Sequence, residues 1–420
     1  MAAQAPLLPL ADLLFLGVFG LEPWAVRIPS VLWLTALVPV TYRMGCLLFD
    51  ERAGWIAALL TTSSYYMLEL TAGAITTDHN DAVFIATVSC SCWALLELWN
   101  NGARRWALLV GFFSACAILT KVYVGGVVFL PWFAMAVLRR SRKDWMDLLL
   151  GAGVAMVLSG LWFGSLAFRF PEALVAQFAF DTGHLGGVVE GHTGGAGYHF
   201  RVIDELMFPF TWWLVVPSYA ALLLRSKRKE HRVFLGLLFI AVHAVFAWAE
   251  TKMPSFTLVL VPLYLIAVGT SLVLVTETLI VERFRNRVIG LVPVLLAVPF
   301  LELEVLQYRH TLASPPKQHQ QWRQQQMEAI PVLANLESII AQPVNSVVYN
   351  VPALHHIQFM FQSGIEATDQ MPEAADVARL RNIGYTVYAV QDGEPLDRFT
   401  NGVEVIRDEV LRFPDVGRPR

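Results

Sequence analysis

The sequence predicts an α-helical polytopic membrane protein of about ten spans with a small C-terminal α/β domain. Three observations predict it. Hydrophobic residues make up 56% of the 420 and charged residues only 15%, against roughly 25% charged in soluble domains. Apolar runs of about 17–25 residues, the length that crosses ~30 Å of hydrocarbon, recur as far as residue 308. Lys and Arg are unevenly divided between alternate loops, the pattern that orients membrane helices. A net charge of −3 without a basic field gives no support for nucleic-acid binding. So large an apolar excess excludes a cytosolic enzyme and a disordered chain.

The spans fall at about 24–49, 54–70, 82–99, 106–120, 122–138, 146–168, 207–224, 233–250, 253–275 and 288–308. The fourth and fifth are broken only around Lys121 and Gly125-Gly126, so they form either a short hairpin or one bent element. One set of alternate loops, from Arg43 and Arg52 to Arg283, Arg285 and Arg287, holds 16 Lys and Arg. The opposite set holds five: Arg27, Lys121, Arg169, Arg201 and Lys252. The first set is therefore expected in the cytoplasm and the loops at 71–81, 169–206 and 250–253 outside, together with the tail after Tyr308. This arrangement is expected of a multi-pass protein with an extracytoplasmic C-terminal domain, in the plasma (inner) membrane of a prokaryote, to which the short chain points, or in the ER of a eukaryote. Ten spans also put the N-terminus outside, yet the first twenty residues carry no charged export region. Residues 6–20, PLLPLADLLFLGVFG, read as an interfacial helix instead. On this parity argument a first helix is expected to be missing upstream.

Two domains follow, 1–308 in the membrane and 309–420 soluble. The tail carries SVVYNV, the helix-like EAADVARLRNIG ending at Gly384, and YTVYAV, a β-α-β pattern without a Gly-rich phosphate loop. All four cysteines, Cys46, Cys90, Cys92 and Cys116, fall inside predicted helices, which suits packing and neither zinc nor disulfide chemistry.

Chemistry-bearing residues collect on the outer face. The loop Thr76-Thr77-Asp78-His79-Asn80-Asp81 precedes an apolar helix. Capping that helix needs one acid or amide, Asp78 or Asn80. The cluster Asp78, His79 and Asp81 offers more, a site for a sugar hydroxyl, a phosphate-linked metal or a metal. Lys121 and Lys252 either snorkel to the interface or pair with an anionic headgroup, and Arg27 is an anchor or a third such cation. The outer loop 169–206 is Gly-rich and contains His184, His192, Tyr198 and His199, a composition that suits a mobile lid. Its histidine spacings match no compact metal motif. No metal site or cofactor is assigned from these residues, with a divalent ion left open.

The order of motifs is E-x-W-A-x-R-x-P-S at Glu22 to Ser30, F-D-E-R-A-G at Phe49 to Gly54, T-D-H-N-D, L-T-K ending at Lys121, and K-M-P-S-F from Lys252. This order resembles the GT-C membrane glycosyltransferases, in the branch of protein O-mannosyltransferases and the lipid A aminoarabinose transferase. The resemblance spans residues 6–275. It implies transfer of a sugar from a polyprenyl-phosphate carrier to a lipid, glycan or protein acceptor, by a single inverting displacement. It assigns Asp78 to the second-loop acidic position, with His79 and Asp81 beside it. It also assigns Lys121 to the L-T-K lysine and Lys252 to the lysine before the late proline. Arg27, Lys121 and Lys252 are then candidates to hold the lipid phosphate, and His192 and Tyr198 candidates to bind substrate. In such enzymes a first span and an acidic outer loop precede the stretch matched here by Ala5-Pro6-Leu7-Leu8. Two other classes fit the composition: a catalytically silent accessory relative, and a lipid or solute transporter. A transporter calls for ionisable residues at mid-membrane, where these spans carry almost none.

Overall fold

The computed structural model describes residues 7–72, 80–122, 124–188, 192–195, 197–207, 212–253, 255–279, 292–298, 318–341, 344–352, 355–391, 402–407 and 411. The chain divides into two compact units, Met1–Thr311 and Leu312–Arg420.

The first unit is helical. Helix α1 (Leu7–Phe19) has 13 residues, ~20 Å of helix, which is too short to cross a bilayer. Helix α2 (Pro23–Leu48) starts on a proline, whose missing N–H is one the first turn leaves unused. Its partner α3 (Glu51–Ser63) is capped by Asp50, which accepts from the Ala53 N–H at 2.9 Å. Arg52 donates back to Asp50 at 2.7 Å and also reaches Glu277. Gly54 lets α2 and α3 touch, since a Cβ there would lie 2.6 Å from the Tyr42 carbonyl oxygen. The F-D-E-R-A-G motif is thus a cap, a clamp and a close contact in sequence.

The expected second span is broken at Ser64, whose ψ of 116° is extended, and continues as α4 (Tyr65–Ala72). Helix α5 (Asn80–Asn101) is buried almost along its whole length and packs on α2 and α6 (Arg104–Ile118). Between them Gly102 takes φ +70°, the left-handed conformation that ends a helix cheaply only with glycine. After α6 come turns over 119–122 and 124–128 and then α7 (Phe129–Arg139), so the fourth and fifth expected spans are two short helices about a tight connection. Gly125 closes that connection by packing directly on the backbone of Ala117 and Ile118.

Helix α8 (Arg142–Arg169) turns Leu149, Met156, Val157 and Leu161 outward, an apolar face suited to lipid. The segment read as a glycine-rich lid begins instead as a regular helix, α9 (Pro171–Gly186). Pro171 supplies its first position, and the glycines lie only at its end, from Gly183 onward. Helix α10 (Tyr198–Leu206), a 3₁₀ turn (Trp212–Leu214) and α11 (Val215–Arg225) follow. Then come α12 (Lys229–Trp248), α13 (Ser255–Leu258), α14 (Val261–Leu279) and α15 (Val292–Ala297).

Among the described helices, α2, α5, α8, α12 and α14 are long and apolar enough to cross a membrane. The chain is a multi-pass membrane protein. The remaining expected spans are shorter or interrupted helices, and much of 288–308 lies outside the described residues. At the Arg-rich ends the helices are tied by ions. Arg43 donates to the buried Glu97 at 2.6 Å, Arg139 pairs with Glu230, and Arg228 donates to the Trp99 carbonyl at 2.8 Å.

The second unit holds α16 (Gln318–Ile339), β1 (Ser346–Tyr349), α17 (His355–Ser363), β2 (Glu366–Ala367), α18 (Ala374–Asn382), β3 (Thr386–Gln391) and β4 (Glu404–Arg407). All pairings are parallel, in the order β2-β1-β3-β4. Gly384 ends α18 at φ +90°, with the Tyr385 N–H donating to Leu380 O at 3.0 Å. The β-α-β pattern read from the tail is present as β1 and β3, with α17, β2 and α18 between them.

Candidate functional site

The L-T-K stretch, Leu119 to Lys121, forms the first part of the turn after α6. The Lys121 N–H donates to the Ala117 carbonyl at 2.8 Å, and the Leu7 N–H of α1 donates to Leu119 O at 3.2 Å. This fixes the base of the lysine. Its ammonium is ion-paired with Asp81 in the first turn of α5, a carboxylate with no solvent exposure. An acid in a helix's first turn also meets the positive end of the helix dipole. Asp81 is held from two sides, and Lys121 is held by Asp81.

Lys121 and Asn80 lie on the wall of a cavity of about 660 Å³. Most of the wall is apolar: Phe84, Val127, Leu130, Phe163, Phe178 and Phe256 are examples, drawn from α5, α7, α8, α9, α13 and the turn before α7. The other polar contributions are Thr120 beside Lys121, Gln177, Asp181 and His184 from α9, and Ser255 from α13. Gln177 donates to Asp181 at 2.9 Å. Such a chamber suits an amphiphile with one anionic group.

Lys252 is nine-tenths buried, and its ammonium points at the end of α12. It donates to the carbonyls of Phe246 at 3.0 Å, Ala247 at 2.8 Å and Ala249. These are the carbonyls a helix C-terminus leaves without partners, so the charge is spent on capping and on the helix dipole. The adjoining backbone receives the end of α9. Thr251 N–H donates to His184 O at 3.1 Å, Lys252 N–H to His192 O at 3.1 Å, and the Thr251 hydroxyl to Gly187 O at 2.8 Å. His192 therefore meets Lys252 through its backbone. Tyr198 stacks edge-on against His199 with centroids 5.2 Å apart. His199 is buried between the Phe246 carbonyl and the Thr257 hydroxyl, 3.2 Å from each. Burial lowers its pKa to about 4, opposed by the hydrogen bond to Phe246 and reinforced by the charge of Lys252.

Arg27 stands in the first turns of α2, where Asp12 of α1 acts on it as a nearby negative charge. Asp78 and His79 lie outside the described residues. Among the described residues no three His, Cys, Asp or Glu are grouped as metal ligands. Of the residues expected from the sequence, the structure thus brings Asp81 and Lys121 together at the cavity. It gathers Lys252, His192 and Tyr198 around the α12–α13 connection, where the segment after α9 meets it. Sequence reading missed Ser255 as a wall residue and Asp12 as the neighbour of Arg27. A lone acid inside an otherwise apolar α1 was the available signal for Asp12.

No curated protein matches the chain by sequence. Residues 3–163 match the dolichyl-phosphate-mannose-protein mannosyltransferase family. In three dimensions the chain is similar to ArnT from Cupriavidus metallidurans, in the crystal structure bound to undecaprenyl phosphate and in the apo state. Each comparison has a TM-score of 0.64 at 16% identity and covers 96% of this chain and 79% of that one. The chain therefore has the GT-C membrane fold, and its N-terminal part matches a GT-C mannosyltransferase family.

Proposed function

We propose that the protein is a glycosyltransferase that moves a sugar from a polyprenyl-phosphate carrier to an acceptor on the outer face of the membrane. The observation that carries this reading is the apolar cavity with the Asp81-anchored Lys121 on its wall. A long isoprenoid needs apolar surface and its phosphate needs a fixed cation, and the cavity supplies both. The family match over residues 3–163 and the ArnT fold support it, one ArnT structure having undecaprenyl phosphate bound.

In this reading the acceptor hydroxyl oxygen attacks the anomeric carbon as the bond from that carbon to the phosphate oxygen breaks. The lipid phosphate leaves with the electron pair, and the hydroxyl proton passes to the carboxylate of Asp78. Lys121 stabilises the charge growing on the departing phosphate, an interaction stronger in the transition state than before it. Asp81 holds Lys121 in place, and His79 and Arg27 remain candidates for proton handling and a second phosphate contact. His192 and Tyr198 are candidate contacts for the acceptor. The C-terminal unit is extracytoplasmic in this reading.

The test is sugar transfer in vesicles reconstituted with the purified protein and a polyprenyl-phosphate-linked sugar. Lys121→Met should lower kcat/KM by about 10²–10³-fold, the range for removal of one transition-state charge contact. Asp78→Asn should abolish transfer while folding is retained. Full transfer by Asp78→Asn removes that residue as the base, and failure of the wild-type protein to bind any polyprenyl phosphate overturns the reading.

A further inference from the structure

Ser255 is 2% exposed, and among the described residues its hydroxyl has no hydrogen-bond partner. A buried hydroxyl left in this state costs about 1–3 kcal/mol, and buried polar side chains are nearly always paired. The residue stands at the start of α13 and lines the same cavity as Lys121. Its position is fixed on both sides. Three residues earlier the Lys252 ammonium knots the end of α12, and directly after it the Phe256 N–H donates to Met253 O at 3.2 Å. Two residues later the Thr257 hydroxyl engages His199. An unsatisfied hydroxyl on a rigid segment of a cavity wall is a group kept ready for a ligand atom.

We propose that Ser255 is a substrate-binding residue whose hydroxyl donates a hydrogen bond to a phosphate oxygen of the polyprenyl-phosphate substrate. This rests on the reading of the cavity given under Proposed function. Phosphate is the polar group common to the carrier before and after sugar transfer, and a hydroxyl donor complements the Lys121 ammonium without adding charge. The assignment differs from a packing role in the sign of its consequences. If Ser255 only packs, Ser255→Ala removes an unsatisfied oxygen and leaves the cavity as capable as before. If it binds phosphate, the same change leaves the empty protein as stable or more stable and weakens the ligand.

The experiment is titration of the full chain in detergent micelles with undecaprenyl phosphate, with thermal unfolding measured with and without the lipid. The expected result for Ser255→Ala is an unfolding temperature equal to or above wild type without lipid. Its dissociation constant should be raised about 10–150-fold, in line with one hydrogen bond to a charged group. Ser255→Thr, which keeps the hydroxyl, should bind more tightly than Ser255→Ala. Wild-type affinity in Ser255→Ala overturns the proposal while leaving the proposed function standing. Absence of binding by the wild-type protein overturns both, so the two failures are told apart.

Discussion

Lys121, in the turn after α6, is ion-paired with Asp81 in the first turn of α5, and the carboxylate of that pair has no solvent exposure. Two distant stretches of sequence, T-D-H-N-D and L-T-K, meet in this one contact. Breaking a buried pair from one side strands a charge at a cost of about 3–5 kcal/mol, whereas removing both partners costs much less. Lys121→Met alone should therefore lower the unfolding temperature more than the double variant Asp81→Asn/Lys121→Met does. Thermal unfolding of the four proteins of this cycle in detergent checks it. Additive effects would mean that the two groups do not depend on each other.

That pair also shows where sequence reading succeeds and where it stops. The apolar runs and the division of positive charge follow from the bilayer as solvent, so the membrane class and the general places of the helices were open to a one-dimensional reading. Helix breaks were not. Ser64 ends α3 with an extended backbone after Thr61-Thr62-Ser63, and hydroxyl residues inside an apolar stretch do not by themselves tell a helix break from a continuous span. In the segment 169–206 the glycines from Gly183 onward mask Pro171 and the apolar run behind it, so the regular helix α9 is not evident from composition. At the candidate site the charge of Lys121 and the acid of Asp81 were visible, but their pairing needed the fold. Lys252 looked equivalent to Lys121 in sequence. Only the placement of the α12 carbonyls separates a helix-capping ammonium from one on the cavity wall.

Lys252→Met should loosen the junction between the end of α9 and the end of α12. Loss of its hydrogen bonds leaves the carbonyls at the end of α12 without a cation, and charged hydrogen bonds contribute about 1.5–3 kcal/mol each at most. The segment 250–252, which receives the carbonyls of His184, Leu185 and His192, should lose order with it. Amide hydrogen exchange over 184–188, 192–195 and 249–253 should quicken at least tenfold in Lys252→Met and return towards wild type in Lys252→Arg. Unchanged exchange would show that the capping contacts contribute nothing to holding this region.

Close helix contacts give a prediction independent of function. A Cβ at Gly54 would approach both the Tyr42 carbonyl oxygen and the Cys46 sulfur within 3 Å, whereas one at Gly160 on α8 would meet nothing within 4 Å. Overpacking of this kind costs about 1–3 kcal/mol or more. Gly54→Val should lower the yield of monodisperse protein and its unfolding temperature by several degrees, and Gly160→Val should leave both near wild type. Size-exclusion profiles of the two variants decide the matter, and equal behaviour would contradict the α2–α3 contact.

His199 should make the packing of α10 dependent on pH. A carbonyl only accepts, so the bond to Phe246 O puts the proton on Nε2, and the neutral ring then accepts at Nδ1 from the Thr257 hydroxyl. Protonation would place a second donor against that hydroxyl and bury a charge beside Lys252. The folded pKa of about 4 lies below the ordinary value of 6.5, with burial as the largest cause. The folded state therefore binds fewer protons than the unfolded state between those values. The stabilising contribution is complete above pH 6.5 and declines as pH falls towards about 4. The shift corresponds to an upper bound on the order of 3 kcal/mol. Hydrogen exchange of α10 amides should show protection falling as pH is lowered through this window, after correction for intrinsic exchange, while His199→Gln flattens the profile. A histidine ring that titrates near 6.5 by NMR would instead place His199 in contact with water and undo the argument for its buried contacts.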